Sequence, residues 1–129
     1  MSSKKIDPLP DLKNTILDFV GVLRDEMLTE PDEQGDLMMV EFFFKRMHPE
    51  SVMQHVIQHV LPHAVRIKKR EQGFFFDNRA IFSGLPDDRI DHYTQIVANS
   101  DRLDKDDRQE VWDYFDTIVA LAECYRKQK

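Results

Sequence analysis

The run 103-LDKDDRQEVWDYFDTIVALAECYRKQK-129 decides the fold, because every local signal in it agrees on one long amphipathic helix. Asp104 stands at the N-cap, with Asp106, Asp107 and Glu110 in the opening turns. There carboxylates accept from unpaired amides and face the positive end of the helix dipole. Arg126, Lys127 and Lys129 close the run with the opposite sign. Between these ends Val111, Phe115, Ile118, Ala122 and Tyr125 recur at three-and-four spacing, and Trp112 and Val119 widen the stripe. Such a stripe has to be covered, so the rest of the chain is read for what covers it.

Immediately upstream, Pro86 with Asp87 and Asp88 opens a helix that carries Ile90, Tyr93, Ile96 and Val97 inward and turns at 99–102. Before it, Asp77 caps a short helix through Phe82, which Gly84 terminates. Pro49 suits the first turn of a helix marked by Val52, Val56, Val60 and Ala64, with Met53, Ile57 and Leu61 beside them. Pro62 opposes the carbonyl of Gln58, which predicts a kink or a break near 59–61, and Gln72 and Gly73 end the element. Nearer the N-terminus, Asp11 caps a helix running to about Leu28 on Leu12, Ile16, Phe19, Val20, Leu23 and Met27. Residues 1–10, with Pro8 and Pro10, read as a flexible arm ahead of a single helical domain over 11–129.

The segment between these helices is the most unusual. Residues 31–35 (PDEQG) read as an acidic loop, and Asp36 as the cap of a helix holding Leu37, Met38, Met39, Val40, Phe42, Phe43, Phe44 and Met47. That helix is apolar on more than one side, which predicts either a central position, the simpler reading, or an exposed partner surface. The fold expected is all-α, an irregular or orthogonal bundle of five to six helices with a long C-terminal helix.

Composition excludes several classes. The chain has 129 residues, 41% hydrophobic and 33% charged, with a net charge of −6. That is enough for a folded core, and the wrong balance for a general nucleic-acid coat. Its one cysteine, Cys124, cannot form an internal disulfide, and the first ten residues lack an apolar signal core, so an intracellular location is expected. No apolar run approaches the roughly 20 residues that span a bilayer.

Few residues invite chemistry. His55, His59 and His63 are spaced at i, i+4 and i+8, and two histidines one turn apart can bind zinc. No HExxH glutamate stands between them and Pro62 bends the helix, so a solvated face shared with Gln54 and Gln58 is preferred, with His92 or Cys124 as the only extra ligands conceivable. The acids at 101–110 lack the mid-loop glycine of a calcium loop and read as helix capping. Four glycines provide no GxxxxGK[ST], GxGxxG or GxSxG string, and Cys124 near a helix C-terminus is poorly placed as a thiolate. No cofactor is expected. Arg66, Lys68, Lys69 and Arg70 form a basic cluster that suits either a helix C-terminus or nucleic-acid phosphates.

The string FFFDNRAIFSGLPDDRIDHY at 74–93, followed by the 103–125 run, resembles uncharacterised small proteins of nucleocytoplasmic large DNA viruses, especially algal ones. Phe75, Asn78, Ile81, Leu85, Pro86, Tyr93, Trp112, Tyr114, Phe115 and Tyr125 are among the residues that carry it, over the C-terminal half only. The resemblance implies a role in a virion or an infected cell and supplies no catalytic residues.

The function expected is therefore that of a non-enzymatic structural or adaptor protein making protein-protein contacts. Two aromatic triplets, Phe42, Phe43, Phe44 and Phe74, Phe75, Phe76, are the partner-binding residues expected, because three consecutive side chains about 100° apart cannot all enter one narrow stripe. The partner is a second protein or another copy of the chain. A nucleic-acid accessory role for Arg66 to Arg70 is the alternative, and a metal site at the histidines a distant one.

Overall fold

The computed structural model describes residues 7–71, 73–74, 85–99 and 101–128, and these form helices joined by short connections, with no strand among them. The elements are α1 (Pro8–Val22), extended by a π turn (Leu23–Met27), α2 (Pro31–Arg46), α3 (Pro49–His59), a 3-10 turn (Leu61–His63), α4 (Ala64–Lys68), α5 (Asp87–Asn99) and α6 (Lys105–Gln128). The all-α architecture and the long C-terminal helix are as the sequence predicts. The short helix expected at 77–82, with Gly84 after it, lies outside the described residues.

The N-cap of α6 is formed reciprocally. The Asp107 amide donates to Asp104 Oδ1 at 2.7 Å, and the Asp104 amide to Asp107 Oδ2 at 3.2 Å. Its inward stripe of Val111, Trp112, Phe115, Ile118, Ala122 and Tyr125 is buried, while Val119, read as widening it, is only partly buried at the edge. α1 is its principal cover and also packs on α2 and α3, so α1 runs through the centre of the bundle. Phe19 of α1 stacks on Tyr114 at 4.9 Å and meets the edge of Phe115 at 5.6 Å, while Phe74 closes on Phe115 at 5.1 Å.

Two helix starts differ from the sequence reading, and proline explains both. α1 begins at Pro8, not after Asp11, with Asp7 at the N-cap. Pro8 and Pro10 sit in a first turn whose amides have no intrahelical acceptor, so prolines that were expected to delay the helix instead open it. Likewise 31–35 is not a loop and Asp36 is not a cap: Pro31 opens α2 and Glu33 at N3 accepts from the Glu30 amide at 3.4 Å. The break at Pro62 is observed, as the 3-10 turn between α3 and α4. α4 ends earlier than Gln72, with Arg70 at φ 58. The Arg70 amide reaches Ile67 O and the Glu71 amide Arg66 O, both at 3.0 Å, which is the pattern that satisfies terminal carbonyls around a left-handed residue. No described helix is long and apolar enough to cross a membrane.

Candidate functional site

α2 has two apolar faces, and only one belongs to the core. Glu33, Leu37, Val40 and Phe44, spaced four, three and four, point inward and are buried. Gly35, Met39, Phe42 and Arg46 repeat the same spacing on the outward side, flanked by Met38 and Phe43. Met38, Met39, Phe42 and Phe43 are 58%, 56%, 59% and 36% exposed. With Met47 they border an open concavity of about 850 Å³. The Arg46 guanidinium lies 5.2 Å over the Phe42 ring, and Phe43 meets Phe44 edge-on at 5.3 Å. Four large apolar side chains gathered at the surface form the kind of patch that soluble proteins reserve for contacts. The central placement of this helix is thus corrected: its inward stripe is completed by four residues, and the remaining hydrophobes have nowhere inside to go.

The helix presenting this face is fixed at both ends. At its C-terminus, Lys13 Nζ of α1 donates to the carbonyls of Lys45 (2.9 Å) and Met47 (2.7 Å), which neutralises the negative end of the dipole. At its N-terminus a polar clamp joins α2 to α5 and to Arg102 in the turn beyond it. Glu33, 1% exposed, accepts from both guanidinium nitrogens of Arg102, one of them at 2.6 Å, and lies 3.1 Å from His92 Nε2. The hydrogen bonds from Arg102, then that to His92, outweigh burial and hold the Glu33 carboxyl down to about 2. One turn on, Asp36 accepts from Tyr93 Oη at 2.6 Å and from Arg89 Nε at 2.7 Å, and Arg89 reaches Asp32 at 3.0 Å. Burial, followed by the bond to Asp36, pushes the Tyr93 phenol well above its usual range. The carboxylates here are matched by donors within the fold, so the arrangement is a clamp that orients α2 rather than an acid-base pair awaiting substrate.

Other expected site residues separate. Phe44 and Phe74 are in the core, which removes them from the set of partner-binding side chains, and Phe75 and Phe76 lie outside the described residues. Of the basic cluster, Arg70 is held by both oxygens of Asp116 at 2.8 and 2.7 Å, above the Trp112 ring, and Arg66 pairs with Glu71 at 3.6 Å. Lys68 and Lys69 are exposed, and Arg70, just beyond α4, ties that end of the helix to α6. His55 and His59 bring their rings to 4.8 Å, but His63 packs on Phe74 instead, and His92 is engaged by Glu33. Cys124 contacts Gln128. Among the described residues no three His, Cys, Asp or Glu side chains are grouped to hold a metal ion. His55 instead borders a small apolar cavity of about 40 Å³ lined by Phe19, Val20, Leu37 and Phe115.

The α2–α5 clamp has no counterpart in the sequence reading, which spent 31–36 on a loop and a cap. A signal existed: Asp32, Glu33 and Asp36 occupy one helical turn, as do Arg89, His92 and Tyr93, with opposite chemistry. No family model, curated protein or solved structure gives a significant match to the chain.

Proposed function

We propose that this chain is a non-enzymatic structural or adaptor protein that works through a hydrophobic protein-protein contact on the outward face of α2. The supporting observation is the exposure of Met38, Met39, Phe42 and Phe43 on a helix locked at both ends, so that the face is displayed without rearrangement. Aromatic and methionine side chains are those that protein interfaces concentrate, and a preset surface costs little ordering when it binds. The setting proposed is intracellular, in a viral particle or an infected cell. It rests on the single cysteine and on the resemblance of the C-terminal half to small viral proteins.

A photoreactive amino acid at position 42, compared with one at exposed Glu123 on α6, tests the assignment in the cell that makes the protein. Discrete protein adducts from position 42 and none from position 123 are expected. Adducts from 123 alone would overturn the reading.

A further inference from the structure

Resting on that reading of α2, we infer that the occupant of its outward face is the same face of a second copy, laid antiparallel about a two-fold axis through Met39. The face is self-complementary along its length. Asp32 lies seven residues before Met39 and Arg46 seven after, so all three fall within about 40° of one line on the helix. Gly35 lies four before Met39 and Phe42 three after, about 40° and 60° to the same side of that line. Reversing one copy on the other sets Met39 against Met39, Phe42 over Gly35, and Arg46 beside Asp32, each pairing made twice by symmetry. The two helix dipoles then oppose, and acid meets base at both rims.

Gly35 gives independent support. It sits inside a helix, where glycine is a poor choice, yet a Cβ added there would meet nothing within 4 Å. Nothing in this fold requires a glycine at that position. The missing side chain leaves a hollow at the surface that the Phe42 ring of the second copy would fill. Asp32 remains 64% exposed despite its contact with Arg89 and is open to a second cation.

Sedimentation equilibrium of the full chain tests this. A species of twice the 15.3 kDa chain mass is expected, returning to a single chain on Phe42→Ser. Asp32→Arg and Arg46→Asp should each weaken dimerisation about tenfold, and the two together should restore it. With Cys124→Ser, Met39→Cys should give an intermolecular disulfide on mild oxidation, since the axis brings the two positions together. A single chain up to millimolar concentration overturns the second copy, as does a dimer indifferent to Phe42→Ser and to the charge exchange. A monomeric chain whose position 42 cross-links to a different protein would overturn the second copy while leaving α2 as the contact face. Absence of any adduct at position 42 would remove both.

Discussion

Glu33 carries a charge into the protein at 1% exposure because Arg102 and His92 meet it there. Its carboxyl falls from 4.5 to about 2, a shift of roughly 3 kcal/mol, which screening of the partly exposed Arg102 reduces to roughly 2. The folded value lies below the unfolded one, so this stabilisation is complete above the unfolded value and is lost as pH falls toward the folded one. Glu33→Gln should therefore lower stability by roughly 2 kcal/mol at neutral pH, with the difference from the parent closing toward pH 2. Urea unfolding across that range checks it, and a difference that persists unchanged in acid would contradict the assignment. Arg70 poses a second question at this scale, since a non-glycine residue at φ 58 bears a backbone cost. Its grip on Asp116 and its place above Trp112 offset that cost. Arg70→Ala loses the grip and keeps the strain, whereas Arg70→Gly loses the grip and sheds the strain. The glycine variant should be the more stable of the two by about 1 kcal/mol.

Among the helices, α6 was the most legible, because cap, stripe and closing charges all lie within one stretch and require no distant partner. Its core anchor should behave accordingly: Phe115→Ala, at 0% exposure, should cost about 3 to 5 kcal/mol in equilibrium unfolding, and a loss below 1 would refute its burial. Pro62 was legible for the same reason, since its clash is with its own helix. α2 was half legible. Its surplus of hydrophobes could be counted, but which face turned inward is fixed by the contacts that Glu33 and Asp36 make with other parts of the fold. The partners of Glu33, His92 and Arg102, lie 59 and 69 residues away. Pairings across that distance leave no periodicity to read. The histidine row is broken for a related reason: the spacing is regular, but the break at Pro62 turns His63 toward Phe74.

At the scale of the whole molecule, the net charge of −6 opposes the close approach of copies, so the pairing proposed for α2 rests on apolar contact. In the proposed pairing on α2, screening of the repulsion between like-charged copies is offset by screening of the Asp32–Arg46 pairs, so association should change little with added salt, whereas contact of the basic cluster with nucleic acid would weaken steeply. Light scattering over a salt series distinguishes a flat response from a steep one. Beneath all of this lies the claim that α2 has one face for the core and one for a partner. The most direct measurement is equilibrium unfolding of Phe42→Ser beside Phe44→Ala, at a concentration where each sediments as a single chain. The account predicts a change within about 0.5 kcal/mol for Phe42→Ser and a loss of about 3 to 5 for Phe44→Ala. Comparable losses at the two positions would place Phe42 in the core and contradict it.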